Sequence, residues 1–311
     1  MKYYIGFDIG GTKCAVSVGR WDNDDIEIVE RYETATQSEP SATFDELAPC
    51  VDRWVKRFGI VRAGISCGGP LDADNGVIIS TPNLSVKWHG FRIVDYVKSR
   101  FGIDAKLEND ANASAVAEWK FGAGKGAKNV IFMTFGTGLG AGLILDGKLY
   151  SGTNGNAGEI GHIRLENDGP VGFGKAGSAE GFCSGNGIKR LALIRAKEKG
   201  VIIDENVSAK TIFENAKRGD EFYLSVIKES AEKFGKVVSI LIDIFNPEII
   251  VAGGVFMRNY DFFMSVIKPV IEKESLSYAY NICKILPAKI GENIGDYAAV
   301  AVAVNGEIQD T

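Results

Sequence analysis

Residues 2–18 read Lys2-Tyr3-Tyr4-Ile5-Gly6-Phe7-Asp8-Ile9-Gly10-Gly11-Thr12-Lys13-Cys14-Ala15-Val16-Ser17-Val18, with an apolar run on each side of a glycine pair. Runs of this kind predict two strands, at 2–9 and 14–18, and the glycines predict the turn of a hairpin between them. Residues 130–145 repeat the pattern, because Thr134-Phe135-Gly136-Thr137 aligns with Asp8-Ile9-Gly10-Gly11. Two similar hairpins, each heading an alternation of strands and helices, predict an α/β enzyme with two lobes.

The rest of the chain supports this organisation. Apolar periodicity predicts helices at 43–58, 93–101, 110–121, 221–245, 259–272 and 295–304, and strands at 61–67, 105–108 and 248–252. We place the lobe boundary near Glu118. The N-terminal lobe would comprise residues 1–117, completed by a C-terminal helix within 295–311, and the C-terminal lobe would comprise residues 118–294.

Composition excludes several classes of protein. The 311 residues are 45% hydrophobic and 24% charged, with a net charge of −5, so the chain is globular and has no bulk positive field for nucleic acid or an anionic membrane. No apolar run approaches the roughly 20 residues that span a bilayer, and Met1 to Phe7 lacks the features of a signal peptide. The five cysteines are scattered and never form a CxxC pair. We therefore expect a cytoplasmic protein with reduced thiols.

Glycine is the unusual residue of this sequence. Nineteen of the 38 glycines fall between Gly122 and Gly187, without the periodicity of collagen or the composition of a linker. Main chain without side chains is needed for tight turns or for the close approach of a ligand.

The motif Asp8-x-Gly10-Gly11-Thr12-Lys13 has the chemistry of a phosphate site. Successive amides in a glycine turn can surround an anion, Thr12 adds a hydroxyl, Lys13 adds a cation, and Asp8 can hold Mg²⁺ directly or through water. The alternative is an ordinary hairpin turn with a solvated lysine. The Asp8–Lys13 motif is not a Walker A loop, since the spacing of its glycines and lysine differs and no helix follows it.

Two further glycine sites stand at strand ends. They are Thr134-x-Gly136-Thr137-Gly138 and the pair Gly253-Gly254. Together with the first motif they could bracket the triphosphate and nucleoside of ATP in a cleft between lobes.

Two segments carry candidate chemistry for an acceptor. In Asn109-Asp110-Ala111-Asn112-Ala113 the carboxylate of Asp110 stands where a strand meets a helix, which suits either a helix N-cap or a base that accepts a proton during phosphoryl transfer. In Gly155–His162, Glu159 and His162 suit the recognition of adjacent sugar hydroxyls. Metal ligation by His162, or a purely structural histidine, are the alternatives.

Taken together, these motifs resemble the ROK family of bacterial sugar kinases and related repressors, within the hexokinase and actin superfamily. The residues that carry the resemblance are Asp8–Lys13, Gly68-Gly69-Pro70-Leu71-Asp72, Pro82-Asn83-Leu84, Glu108–Ala113, Gly136–Gly140, Gly155–His162 and Gly253-Gly254. The resemblance covers nearly the whole chain. It implies a two-lobed actin-like ATPase fold, of the ribonuclease H-like kind, with a cleft between the lobes.

The resemblance also implies roles for individual residues. The turns at Gly10, Gly11, Thr12 and Lys13 and at Thr134, Gly136, Thr137 and Gly138 would bind ATP phosphates, with Gly253 and Gly254 near the nucleoside. Asp110 would be the catalytic base for the 6-hydroxyl of a hexose, and Asp8 would help to place Mg²⁺. The sugar-contacting positions would be Gly69, Asn83, Asn109, Asp110, Glu159, His162 and Glu180.

One departure from the family concerns metal. ROK proteins commonly carry CxCGxxGCxE, a segment that binds structural zinc together with the preceding histidine. Here the corresponding stretch, Gly172-Phe173-Gly174-Lys175-Ala176-Gly177-Ser178-Ala179-Glu180, is about one residue shorter and has no cysteine. Three thiolates and an imidazole cannot assemble, so we expect no structural zinc.

The leading hypothesis is an ATP-dependent hexose kinase, with glucose the expected substrate and an N-acylated hexosamine such as N-acetylmannosamine, or a β-glucoside, as alternatives. A sugar-sensing ROK regulator is disfavoured, because the first strand begins within a few residues and leaves no room for a helix-turn-helix domain. A sugar-binding protein without catalysis is disfavoured because Asp110 and the glycine turns are present. The resemblance implies a homodimer.

Overall fold

The computed structural model describes residues 1–22 and 25–310. They form two compact units: unit 1 comprises Met1–Lys128, Gly142–Ala157 and Lys289–Thr311, and unit 2 comprises Asn129–Ala141 and Gly158–Ala288. Within the described ranges, no helix is long and apolar enough to cross a membrane.

The bounds of the elements are as follows. The strands are β1 (Lys2–Ile9), β2 (Lys13–Asp22), β3 (Asp25–Ala35), β4 (Ala63–Cys67), β5 (Leu71–Asp72), β6 (Val77–Ile78), β7 (Ala105–Asn109), β8 (Val130–Phe135), β9 (Leu139–Leu145), β10 (Lys148–Tyr150), β11 (Val171–Gly172), β12 (Lys175–Ala176), β13 (Ile249–Ala252) and β14 (Lys284–Pro287). The helices are α1 (Pro40–Phe58), α2 (Ile93–Phe101), α3 (Asp110–Phe121), α4 (Ala179–Phe182), α5 (Gly185–Lys199), α6 (Ala209–Lys217), α7 (Glu221–Phe245), α8 (Gly254–Arg258), α9 (Tyr260–Glu274), α10 (Ser277–Tyr280) and α11 (Ile294–Asp310).

The sheet of unit 1 has the order β3-β2-β1-β4-β7. β2 is antiparallel to both β1 and β3, whereas β1, β4 and β7 run parallel to one another. One face carries the larger core, in which Phe7 of β1 packs with Phe44 of α1 and Phe101 of α2. α11 covers the opposite face, where Tyr4 packs with Val300.

Glycines on that opposite face allow α11 to lie directly on the sheet. Gly6 and Gly64 are register partners on β1 and β4. A Cβ on Gly64 would lie 2.0 Å from the carbonyl oxygen of Ala299 and 2.5 Å from the amide nitrogen of Ala303, and a Cβ on Gly6 would lie 2.7 Å from the Val300 amide. Because these neighbours are main-chain atoms, no rotamer change could relieve the clash.

The second sheet has the order β10-β9-β8-β13-β14, with β8, β13 and β14 parallel. Aromatic side chains dominate the core of unit 2. The ring of Phe234 in α7 lies 5.1 Å from that of Phe135 and 5.4 Å from that of Phe256, and Phe263 of α9 completes the cluster. These helices fix the carboxyl end of β8, where Phe135 stands.

The unit boundaries differ from the expected lobes 1–117 and 118–294. Residues following Glu118 pack back on α3: its buried carboxylate accepts the amides of Ala123, at 2.7 Å, and Ile290, at 2.8 Å, and the Trp119 indole donates to the Ala127 carbonyl. A Cβ on Gly142 would lie 2.5 Å from the Ala115 side chain. These contacts hold residues 118–128, 142–157 and 289–294 with unit 1.

We expect Gly64→Ala to destabilise the protein by about 3 kcal/mol, because the added methyl group collides with the main chain of α11. Denaturant-induced unfolding would measure the loss. Gly136→Ala is the matched control, since a Cβ there meets nothing within 4 Å. Equal stabilities for the two variants would contradict the packing argument.

Candidate active site

Three parallel strands bring the candidate residues of unit 1 to one edge of its sheet. β1, β4 and β7 end at Ile9, Cys67 and Asn109, which are in register across the sheet. The segments that follow them are Gly10–Lys13, Gly68-Gly69 and Asp110. Ligands of α/β sheets bind at this edge, because the loops beyond the carboxyl ends of parallel strands converge there.

The glycine turn after β1 is closed by hydrogen bonds and lies against a second loop. The Gly10 amide donates to the Lys13 carbonyl at 3.1 Å, and the Thr36 hydroxyl donates to the Gly10 carbonyl at 2.6 Å. A Cβ on Gly11 would lie 2.3 Å from the carbonyl oxygen of Asn83. The turn therefore requires glycine at position 11, and it brings the candidate sugar residue Asn83 beside the candidate phosphate site.

The polar side chains of this turn are exposed. Thr12 faces solvent, and the Lys13 ammonium lies 2.5 Å from the carboxylate of Glu33 on β3. Glu33 also pairs with Arg31 at 2.7 Å. Hydrogen bonds from Lys13 and Arg31 lower the pKa of Glu33. An anion bound at the turn would compete with the Glu33 carboxylate for the ammonium group of Lys13.

Asn109, and not Asp110, is the N-cap of α3. The Asn109 side-chain oxygen accepts the Ala111 amide at 2.9 Å, and Asp110 is the first helical residue. One Asp110 oxygen also accepts that amide, at 2.8 Å. A Cβ on Gly68 would lie 3.9 Å from the other carboxylate oxygen of Asp110, and one on Gly69 would lie 3.3 Å from the side-chain nitrogen Nδ2 of Asn109. Burial raises the pKa of Asp110.

Asp8 stands in an acidic neighbourhood. Burial raises its pKa to about 6, the carboxylates of Asp296 and Asp110 contribute in the same direction, and Arg31 opposes them. A Cβ on Gly295, in the first turn of α11, would lie 2.2 Å from an Asp8 oxygen. The Asp8 carboxylate offers oxygen atoms of the kind that a hard divalent cation such as Mg²⁺ binds.

The second glycine turn joins β8 to β9 in unit 2. The Gly136 amide donates to the Gly138 carbonyl at 3.1 Å. The Thr134 hydroxyl accepts the Gly140 amide at 2.9 Å, so this side chain holds the hairpin together. The Gly185 amide donates to the Gly136 carbonyl at 2.8 Å, which ties the turn to the start of α5.

A cavity of about 1110 Å³ adjoins this turn within unit 2. Gly136 and Thr137 form part of its wall, and Phe213 supplies an aromatic surface. The basic residues that line it are Lys189, Lys210, Lys217 and Arg258. Its size, its aromatic wall and its positive charge suit a nucleotide.

Gly253 and Gly254 lie behind the cavity and do not line it. Gly254 has a positive φ of 58°, and a Cβ on it would lie 2.1 Å from the Phe135 carbonyl oxygen. Gly254, which packs against the Phe135 carbonyl, is the first residue of α8, and Val255 and Arg258 of this helix line the cavity. Gly253 and Gly254 therefore influence the cavity only through α8, which they start.

The sugar-site candidates of unit 2 come from a 3₁₀ turn, Ile160–His162, and from α4. Glu159 and the His162 side chain are exposed. Gly161 packs closely, since a Cβ on it would lie 2.2 Å from the Leu139 carbonyl oxygen and 3.3 Å from the Cβ of Glu180. The Glu180 carboxylate accepts the Leu139 amide at 3.2 Å. Glu180 therefore links the 3₁₀ turn to the glycine turn before Leu139.

The structure adds site residues that sequence reasoning missed. The basic lining of the cavity comes from α5, α6 and α8, and the acidic partner of Asp8 comes from α11. A signal existed for α6, where Ser208 is a good N-cap and Lys210, Glu214 and Lys217 recur at helical spacing. For Asp296 the sequence held no signal, because its meeting with β1 depends on how α11 packs.

The segment before Glu180 does not fit zinc. Counted back from Glu180, Gly174 and Gly177 fall on the two glycines of CxCGxxGCxE, so the segment has the family's length and the expectation of a missing residue was wrong. Val171, Phe173 and Ser178 occupy the cysteine positions. Two of these side chains are hydrocarbon, and the third is a neutral hydroxyl. In residues 1–22 and 25–310, no cluster of three His, Cys, Asp or Glu side chains could hold a metal ion.

Comparison with known proteins identifies the family and the fold of the chain. A sequence profile of the ROK family matches residues 4–305. The chain is 30% identical to a glucokinase of Streptomyces coelicolor, over 97% of this chain and 98% of the relative. It is 32% identical to an N-acetyl-D-glucosamine kinase of Vibrio cholerae, over 94% of this chain and 96% of that relative. A ROK family glucokinase from Streptomyces griseus, solved in complex with glucose and AMPPNP, is 30% identical with a TM-score of 0.77, over 98% of this chain and 100% of that one. The actin-like α/β fold class is thereby confirmed.

We expect Asp8→Asn to stabilise the metal-free and nucleotide-free protein by about 2 kcal/mol near pH 8. The folded-state pKa of about 6 exceeds the ordinary value of 3.8, so ionised Asp8 costs stability above about pH 6, and this cost disappears toward about pH 4. Denaturant unfolding across this range would measure the difference, with Asp45→Asn, an exposed site on α1, as control. A difference independent of pH would contradict the assignment.

Proposed function

The chain belongs to the ROK family, and from this premise we propose that it is an ATP-dependent kinase that phosphorylates the 6-hydroxyl of a hexose, with glucose preferred. One observation carries the proposal. The carboxylate of Asp110, the first residue of α3 after the N-cap Asn109, stands at the same sheet edge as the Gly10–Lys13 turn. A base and a phosphate-binding turn at one edge are the parts that phosphoryl transfer to a hydroxyl requires.

In the proposed mechanism Asp110 is the general base. Its carboxylate accepts the proton of the hexose 6-hydroxyl as that oxygen attacks the γ-phosphorus of ATP, and ADP leaves with the electrons of the broken bond. Burial, which raises the pKa of Asp110, makes its ionised form a stronger proton acceptor. Only the ionised carboxylate is competent, so turnover would fall on acidification.

The two glycine turns would bind the phosphates of ATP. Main-chain amides of Gly10–Lys13 in unit 1 and of Thr134–Gly138 in unit 2 are the proposed donors, and the cavity beside the second turn would take the nucleoside. Mg²⁺ brought in with ATP would neutralise phosphate charge, and Asp8 is the residue proposed to hold it, directly or through water. A cation beside Asp8 would favour the ionised form of this carboxylate.

The hexose would be held by several polar groups. The proposed contacts are Gly69, Asn83, Asn109 and Asp110 in unit 1, and Glu159, His162 and Glu180 in unit 2. Carboxylates and amides in this number can satisfy the several hydroxyls of a sugar, each of which both donates and accepts a hydrogen bond.

Glucose is proposed as the substrate because proteins named as glucokinases are similar over nearly the whole chain, one of them solved with glucose. The similarity to an N-acetyl-D-glucosamine kinase keeps N-acylated hexosamines, including N-acetylmannosamine, as the second candidate, with β-glucosides third. We further propose a cytoplasmic homodimer, on the resemblance alone.

We expect Asp110→Asn to lower kcat for hexose-dependent ADP release by about a thousandfold or more, because the amide cannot accept the hydroxyl proton. Hexose affinity, measured by calorimetry, should change little. Asp45→Asn, which removes an exposed carboxylate on α1, serves as the control. Turnover in Asp110→Asn equal to that of the parent protein would refute the mechanism.

We expect glucose to exceed N-acetylglucosamine, N-acetylmannosamine and a methyl β-glucoside in kcat/KM by about tenfold or more. A coupled ADP-release assay across these sugars, with mannose, fructose and allose, would measure the order. 6-Deoxyglucose lacks the proposed acceptor and should release no ADP. A preference for an N-acyl sugar would overturn the choice of substrate and leave the proposed class of enzyme intact.

A further inference from the structure

Residues 162–180 connect two proposed sugar contacts, His162 at one end and Glu180 at the other. The connection contains little regular structure, because β11 and β12 are only two residues long each. Several of its carbonyl groups therefore need hydrogen-bond donors from outside a sheet or helix. What holds this loop decides how precisely its two ends are placed.

Two cationic side chains within the loop donate to its own main chain. The Lys175 ammonium donates to the carbonyl oxygen of His162 at 2.7 Å. The Arg164 guanidinium donates to the carbonyl oxygens of Ala176, at 2.9 Å, and Asn167, at 3.3 Å. Lys175 thus restrains the residue that carries the candidate imidazole.

Two further side chains hold the other end of the loop. Arg190, on α5, donates to the Val171 carbonyl at 2.6 Å. Ser178 is fully buried, and its hydroxyl donates to the Gly172 carbonyl at 3.3 Å and accepts the Gly181 amide at 3.2 Å. Ser178 is thereby the N-cap of α4, whose first turn carries Glu180.

Phe173, at the tip of the β11–β12 hairpin, lies next to His162. Phe173 has a positive φ of 43°, which is rare for a bulky residue, and its side chain is 75% exposed. Its ring lies edge-on to the imidazole of His162, with centroids 6.3 Å apart. A strained, exposed aromatic residue in this position requires surroundings that hold the loop firmly.

We propose that Arg164, Lys175, Arg190 and Ser178 form a polar staple that does the work of the family's zinc ion, fixing His162 and Glu180 for hexose binding. The polar staple involves the positions at which the family has cysteines. Val171 stands at the first of them, and its carbonyl accepts a hydrogen bond from Arg190. Phe173 stands at the second and Ser178 at the third. Hydrogen bonds from the cationic groups of Arg164, Lys175 and Arg190 to carbonyl oxygens here take the place of a metal ion bound to thiolates. The four are positioning residues, and the link to hexose binding rests on the proposed function.

The test compares Lys175→Met and Arg190→Met with Lys197→Met, which removes an exposed charge from the same helix as Arg190. We expect KM for glucose to rise about tenfold in the first two variants, with kcat changed less and KM for ATP unchanged. Arg190→Lys, which keeps a donor, should recover part of the loss. Unchanged KM values for glucose in both staple variants would overturn the positioning role.

Amide hydrogen exchange provides a readout that needs no catalysis. Exchange of the amides in 162–178 should accelerate in Lys175→Met and Arg190→Met and stay at the parent rate in Lys197→Met. Faster exchange in a protein that shows no hexose turnover would support the staple while refuting the proposed function. Parent-like exchange in all variants, or stoichiometric zinc in protein purified from zinc-supplemented medium, would refute the staple.

Discussion

The distance between α11 and the first sheet is the constraint on which the acidic edge of unit 1 depends. Gly6 and Gly64 present bare Cα atoms to α11 between Ala299 and Ala303, so at these two positions the main chain of the helix packs directly on the strands. Asp8 is two residues beyond Gly6 and therefore on the same face of β1. At this separation the first turn of α11 reaches it, and Gly295 leaves room for its carboxylate. A side chain at either glycine would push α11 away from the sheet and separate its first turn from Asp8.

The two units carry opposite kinds of charge at their candidate sites. Unit 1 gathers carboxylates, with Asp296 held by the Ser17 hydroxyl at 2.6 Å and by Arg31 at 2.8 Å, close to Asp8 and Asp110. In unit 2, lysines and an arginine line the cavity, and Lys175 and Arg190 donate hydrogen bonds to carbonyl groups of the 162–180 loop. Acidic groups suit a base and a divalent cation, and basic groups suit phosphate. Crowding carboxylates lowers stability, which is a common compromise between stability and function.

Sequence reasoning succeeded where local signals were strong. The helices predicted at 93–101, 110–121 and 221–245 are confirmed to the residue, because apolar periodicity defines their faces and glycine or asparagine follows their ends. β3 was missed since it is an edge strand with many charged residues, and α5 and α6 were missed because glycines and lysines obscure their apolar faces. The glycine motifs identified the two turns. Whether Asn109 or Asp110 capped α3 could not be decided from the sequence, because both residue types cap helices well.

The order of elements along the chain has a consequence for biosynthesis. β1, β2 and β4 are made first, whereas the helix that covers one of their faces, α11, comes from residues 294–310. During translation that face of the sheet, with Tyr4 and its neighbours, stays uncovered until these late residues leave the ribosome. The sheet of the nascent first unit thus keeps one apolar face uncovered, and an uncovered apolar face favours association with other chains. Because α11 also supplies the Gly295 and Asp296 neighbours of Asp8, the acidic edge is complete only when these late residues have packed on the sheet.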